Sequence, residues 1–348
     1  MIPYILAGLF ALGAKCFPTT TPFECPPVEL GSFTIDQYQL YPENADWNAA
    51  QCVVYFGVLW NASVAIYDPY ADSITEILEF PGITRSASEH VGGVQWDEYT
   101  GLVSILVDSA APWATGGADV SGDNLVIKYN PVTREYLWTA NLTALTQGEY
   151  GGFQDVEHDS RGNTYVVGTY PGTIVRISKC GNEIVPWYLP ETIVTTQQGY
   201  SGIQAVGDVL LANAASGQIY RFDLTQDKGE PVLVPITPNV TYLDTDAIYA
   251  PPKYGGKVLL VSSHLSGIQV LRSEDGWQTA EYLGTVPNPS SAVDAGFQVT
   301  AAVQIGSNGV YIVDESFADP WVEGETAGNR SLFPVPDITA AVESLLLQ

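Results

Sequence analysis

Gly152-Phe-Gln-Asp-Val156, the turn Asp159-Ser-Arg-Gly-Asn163 and the run Thr164-Tyr-Val-Val-Gly-Thr169 form the stretch on which the fold turns. A short apolar strand begins at a glycine, a tight polar turn reverses the chain, and a second apolar strand answers the first. Tyr170-Pro-Gly172 then leads into a third strand, Thr173–Ile177. The same pattern starts again at Asn48-Ala-Ala-Gln-Cys52, His90-Val-Gly-Gly-Val94, Gly199-Tyr-Ser-Gly-Ile203, Asp244-Thr-Asp-Ala-Ile248 and Gly296-Phe-Gln-Val-Thr300. The copies recur every roughly 45–60 residues, the length of one four-stranded propeller blade. The sequence therefore predicts an all-β protein, a six-bladed β-propeller around a central channel. Phe33–Tyr41 alternates as a half-buried strand does. It is expected to be the outermost strand of the last blade, supplied by the N-terminus, which closes the ring and removes an exposed edge.

Three segments are expected. Residues 1–14 read as a signal peptide: Ile2–Leu12 is almost wholly apolar, too short to span a bilayer, and Ala11-Leu-Gly-Ala14 offers small residues for cleavage. Residues 15–31 form a Pro/Thr-rich leader, and residues 32–348 a single propeller. Four Asn-x-Ser/Thr sequons, at Asn61, Asn141, Asn239 and Asn329, fit passage through the secretory pathway, ending in secretion or a vesicle. In that compartment Cys16, Cys25, Cys52 and Cys180 are expected in disulfides rather than at a metal; three pairings are open. The tail reads as a helix, Ile338–Leu347, capped by Asp337.

Lysine and arginine number 13 against 39 acidic residues, a net charge of −26. Phosphate binding needs a basic footprint, so nucleic acid and anionic membrane surfaces are excluded as partners. No Gly-x-Ser-x-Gly elbow, Walker motif or Gly-x-Gly-x-x-Gly before a helix is present, so nucleophilic catalysis and nucleotide cofactors are not expected. No cysteine or histidine spacing matches a zinc site. No cofactor and no metal are expected.

Two long loops, 108–123 and 315–330, both fall between second and third strands, so both emerge on the face where the inner strands begin. That face is expected to gather Trp47, Glu89, His90, Gln154, Tyr200, Asp246 and Gln298 from the strand starts. The loops and second-strand ends add Trp60, Trp113, Tyr170, Asn213, His264, Asp314, Glu315, Phe317 and Trp321. An aromatic rim with a few convergent polar groups suits a small apolar molecule. His90, Tyr200 and His264 are the expected catalytic residues. Trp60, Glu89, Trp113, Gln154, Tyr170, Asp246, Gln298, Phe317 and Trp321 are the expected substrate contacts. His158 falls on the opposite face. A calcium site built on Asn213 and Asp246, as in propeller lactonases, is a third reading.

Asn61-Ala-Ser-Val-Ala-Ile-Tyr-Asp-Pro69, Asp159-Ser-Arg-Gly-Asn-Thr-Tyr-Val166, Thr173-Ile-Val-Arg-Ile-Ser178, Gly199-Tyr-Ser-Gly-Ile203 and Gly309-Val-Tyr-Ile-Val-Asp-Glu-Ser-Phe317 resemble a fungal secreted propeller family. Its members include Mala s allergen-like proteins and the trichothecene-cluster virulence protein. The resemblance covers most of the chain after the leader. Similar proteins act as cofactor-free cyclases in fungal secondary metabolism. Among them are hetero-Diels–Alderases that join a tropolone quinone methide to a sesquiterpene. The resemblance implies such a cyclase; the alternative it implies is a secreted allergen- or virulence-type protein that binds its ligand without turnover.

Overall fold

A computed structural model describes residues 25–28, 31–240 and 244–348. The expected signal peptide, most of the leader and Cys16 lie outside the described residues. Four antiparallel sheets of four strands, then one of five, follow one another along the chain. The first runs Pro42–Asn48, Val53–Val58, Ser63–Asp68, Ser73–Leu78. The second runs Glu89–Asp97, Leu102–Ser109, Leu125–Asn130, Glu135–Asn141. The third runs Gly151–His158, Thr164–Tyr170, Thr173–Ile177, Ile184–Tyr188. The fourth runs Tyr200–Val206, Val209–Ala214, Ile219–Asp223, Val232–Leu233. The fifth runs Thr245–Tyr249, Val258–Ser263, Gly267–Arg272, Ala280–Val286, and Ile236–Thr237 adds a parallel fifth strand at its outer edge.

The expected count of six like blades is corrected here: five blades are complete. The rest of the ring is two separate two-stranded ladders. Gln298–Ile305 pairs with Gly309–Glu315, and Leu332–Val335 pairs with Phe33–Asp36. Among the described residues the one bridge linking these ladders joins Tyr311 to Asp337, just past Val335. Pro334 and Pro336 stand on that edge, and a proline has no N–H to give a ladder. Gln298–Ile305 still contacts both Thr245–Tyr249 and Pro42–Asn48, so the innermost strands close a circle.

Side chains from neighbouring sheets fill each gap between blades. Tyr55 and Val64 of the first sheet meet Val94, Ile105 and Ile127 of the second. Phe33 stacks on Tyr67 with ring centres 5.2 Å apart, tying the N-terminal strand to the first blade as well. Cys25 and Cys52 form a disulfide, one of the open pairings. The tail helix spans Thr339–Leu346; Ile338 rather than Asp337 is its cap residue, although Asp337 Oδ1 accepts from Thr339 N.

Two features position the site. Each of the six innermost strands carries a shift of register near its start: Pro42/Asn44, Val91/Val94, Phe153/Asp155, Tyr200/Ile203, Thr245/Ile248 and Val299/Ala301. Such bulges bend the strand and re-aim its side chains. Gly92, Gly93 and Gly202 sit where neighbouring innermost strands touch. A Cβ on Gly202 would lie 2.5 Å from Ile248 N and 2.8 Å from Ala247 Cα. Backbone cannot yield there as a flexible side chain does, so Gly202→Ala is expected to lower stability by about 1–3 kcal/mol. A shifted urea midpoint at unchanged slope checks this.

Candidate functional site

The starts of the innermost strands and the ends of the second strands frame a cavity of about 380 Å³ at one mouth of the channel. Its apolar wall is Leu59, Trp60, Trp113, Phe153 and Phe317. Trp60 follows the strand Val53–Val58 and is the hub. Its ring meets His90 edge-on at 5.0 Å, Phe317 at 6.3 Å and Trp321 at 5.7 Å, and its Nε1 donates to Glu315 Oε1 at 3.0 Å. Across the mouth, Trp113 sits on the short helix Ala111–Thr115 and donates to Asp108 Oδ2 at 2.5 Å. Long-loop residue Asp319 is gripped by Arg330 through two 2.7 Å contacts and accepts from Tyr41 Oη at 2.8 Å, which fixes the loop carrying Phe317 and Trp321.

The polar groups fall into two electrostatic kinds. His264 Nε2 lies 2.7 Å from Asp246 Oδ2, and Gln154 Nε2 donates to Asp246 Oδ1. Burial pushes the His264 imidazole down, but the bond to Asp246 and the charges of Asp246 and Asp244 outweigh it, so its pKa is raised. His90 has no such partner: burial pulls it down to about 4 against the opposing pull of Glu89, so it is neutral at neutral pH. Burial also shifts several acids of the mouth towards their protonated form. Asp108 rises to about 7, and Glu43 and Glu315 rise well above the ordinary carboxylate range. The mouth is therefore largely apolar, with acids whose ionisation burial disfavours and one oriented imidazole–carboxylate pair.

Of the expected residues, His90, His264, Trp60, Trp113, Gln154, Asp246, Gln298 and Phe317 line this cavity. Trp321 touches Trp60 from the rim and is 48% exposed. Five expectations are corrected. Tyr200 points between blades, against Tyr188, Tyr220 and Phe222, because its strand bulges just after it. Tyr170 stands behind Trp113 and receives a bond from Gln198. Glu89 turns away to accept from Ser86 and Ser88. Trp47, at the far end of its strand, lines the opposite mouth. Asn213 is occupied within the fold, donating to Asp246 O at 2.7 Å and accepting from Gly202 N at 2.7 Å, so it is not available as a calcium ligand. Among the described residues no group of three His, Cys, Asp or Glu side chains is placed to hold a metal. Sequence reasoning missed Glu43, Leu59, Gly92, Asp108 and Phe153. Phe153 and Asp108 had a signal, since each adjoins an expected contact or opens a long loop. Glu43 had none, because no repeat start preceded it.

Of the sequons, Asn141, Asn239 and Asn329 are exposed. Asn61 is the exception: its amide donates to Gln39 O and its Oδ1 accepts from Thr326 at 2.6 Å.

This chain is 32% identical over 340 residues to trichothecene biosynthesis protein 14 of Trichoderma arundinaceum, covering 92% of each chain. It belongs to that family. A second member, core trichothecene cluster protein 14 of Fusarium sporotrichioides, is 28% identical over 93% of this chain and 89% of its own. The Malassezia sympodialis allergen Mala s 1 shares the fold of the trichothecene protein 14 homologue described here. Its TM-score is 0.74 at 20% identity, over 90% of this chain and 96% of its own. No family model matches the chain.

Proposed function

We propose that the aromatic mouth binds an apolar secondary-metabolite precursor and catalyses its cofactor-free cyclisation, of the hetero-Diels–Alder type, in terpenoid biosynthesis. The observation that carries this reading is a single oriented imidazole, His264 on Asp246, in a wall of aromatic rings and buried acids. The names of the two relatives, a biosynthesis protein and a cluster protein, support the pathway class. Cyclisation of this kind requires placement above all, and a well-oriented pair of reactants gains roughly 7–11 kcal/mol over the free ones. Trp60, Trp113, Phe153 and Phe317 supply stacking surfaces. His264 bonds Asp246 through Nε2, and in its protonated form, which that bond favours, it keeps an Nδ1–H for a carbonyl of the heterodiene. His90, neutral and edge-on to Trp60, shapes the wall.

The same reading takes the two short ladders together as a composite sixth blade, closed by Phe33–Asp36, and takes residues 1–14 as a signal that sends a glycosylated protein into the secretory pathway. A second reading, binding of the same class of molecule without turnover, is favoured by the low proton affinity of His90, which leaves the mouth one protonatable imidazole rather than two.

Deletion of the gene with chiral mass spectrometry of the metabolites tests the pathway. A cyclised product that vanishes or becomes racemic, with precursor accumulating, supports the cyclase. With purified protein and that precursor, His264→Ala is expected to cut turnover about 10²-fold, the scale of one lost transition-state donor. Trp60→Ala is expected to erode stereoselectivity. Unchanged turnover and stereochemistry in both folded variants rejects this site, and ligand recovered intact favours binding alone.

A further inference from the structure

The channel has a second mouth. Beyond a constriction in which Asn44 Nδ2 donates to Asp155 Oδ1 at 3.1 Å, the far ends of the innermost strands surround a cavity of about 520 Å³. Its wall differs in kind from the first. Trp47, Trp96, Tyr99 and Tyr249 bring ring faces, and Tyr99 is 52% exposed. Asp46, Glu98 and Glu157 bring carboxyls, and Gln95 brings an amide.

Three wall residues carry shielded polar atoms with no hydrogen-bond partner among the described residues: Gln95 Oε1, Trp96 Nε1 and His158 Nδ1. His158 is 3% exposed. Its Nε2 faces Lys128 Nζ at 3.1 Å, and an ammonium only donates, so the ring proton belongs on Nδ1. Just behind the wall, reached when a side chain shifts, lie two donors, the indole and imidazole N–H groups, and one amide acceptor. Burial raises Asp46 to about 7 and Glu157 to about 8, so both still carry protons near neutrality.

A partner for this wall must accept and donate at neighbouring points. An ammonium only donates, and a phosphate or carboxylate only accepts and meets three acidic side chains. A hydroxyl does both, and a run of hydroxyls on a carbon frame leaves C–H faces for the rings. We propose that the second mouth is a binding site for a neutral polyhydroxylated molecule, a mono- or disaccharide or a sugar alcohol. The ligand stacks on Tyr99 and Trp96 and reaches Gln95, Trp96 and His158 as these side chains adjust.

Saturation-transfer NMR with glucose, sucrose and sorbitol as probes tests the site on the full-length protein, with intrinsic tryptophan fluorescence for affinity. At least one probe is expected to bind, with affinity falling tenfold or more in Tyr99→Ala and in Trp96→Phe. Tyr99→Ala removes an exposed ring, so it leaves the fold intact. Trp321→Ala, at the other mouth, is expected to leave sugar binding unchanged. The proposal is overturned if no probe gives transfer, if both variants bind as the parent does, or if inorganic phosphate or choline competes as well as the sugars.

Discussion

Lys128→Met is expected to destabilise the protein by about 3–5 kcal/mol, the range for removing one partner of a buried ion pair. Lys128 and Asp97 have fully buried side chains 3.2 Å apart. Lys128 Nζ also donates to Ser104 Oγ at 3.0 Å and faces His158 Nε2 at 3.1 Å. Burial pulls the lysine pKa down and the Asp97 charge holds it up; around Asp97, burial pushes up but His158, Lys128 and Thr100 together win, and its pKa is lowered. Methionine fills the space and leaves the carboxylate without its cation. Urea unfolding at pH 7 reads the loss. Adding Asp97→Asn removes the stranded charge, so the double variant is expected to recover at least about 1 kcal/mol of it. A loss below about 1 kcal/mol in the single variant means the pair does not hold the second blade together.

The second large effect is a gain in stability on acidification from pH 8 to pH 5. Burial raises Asp46, Asp108, Asp155 and Asp314 to about 7 and Glu157 to about 8. A carboxyl raised in the folded state binds its proton more tightly there than in the unfolded chain. Its stabilisation is complete below the unfolded pKa near 4 and is lost as pH rises through the folded pKa of 7 to 8. One carboxyl moved from 3.8 to about 7 carries roughly 4 kcal/mol between those limits. Two groups oppose this. Burial lowers His90 to about 4 and His158 to about 3, so each contributes stability that is lost as pH falls from 6.5. His264, raised, acts with the acids. Five acids outweigh two histidines, and a net gain on the order of 4 kcal/mol or more is expected between pH 8 and pH 5. Urea midpoints across that range measure it. A midpoint that falls towards pH 5 contradicts buried, protonated acids in the channel.

Much of this molecule was legible in the sequence, and the misses share one cause. The recurrence of Gly152-Phe-Gln-Asp-Val156 located five of the six innermost strands, because alternation and turn chemistry are local properties; its first copy, Asn48–Cys52, falls instead on the turn that follows the innermost strand Pro42–Asn48. Residues just outside those strands, such as Trp60, Trp113, His264 and Phe317, converge because the repeat places second-strand ends beside strand starts. Inside the strands, the direction of a side chain depends on parity, and the bulges alter parity without a sequence mark. Tyr200 therefore points into a blade gap, and Phe153, never expected there, into the cavity. Glu43 escaped because its strand begins before the repeat signal at Asn48. The prolines that split the last ladder were visible, but the bridge at Tyr311 and Asp337 depends on chain segments distant in sequence.

The pairing of Phe33–Asp36 with Leu332–Val335 joins residues about three hundred positions apart. At about 5–20 residues per second, a ribosome needs roughly 15–60 s between making the first strand and its partner. For all that time the earliest strand of the fold is an orphan edge, and the ring stays open until the chain is nearly complete. The edge is only four residues long and ends in an aspartate, both ordinary ways of discouraging a stray strand from pairing there. Synthesis order thus makes the final blade the gate to the native state. A nascent chain cut between Val286 and Leu332 has all five complete blades but lacks the pairing that ties Phe33–Asp36 into the ring.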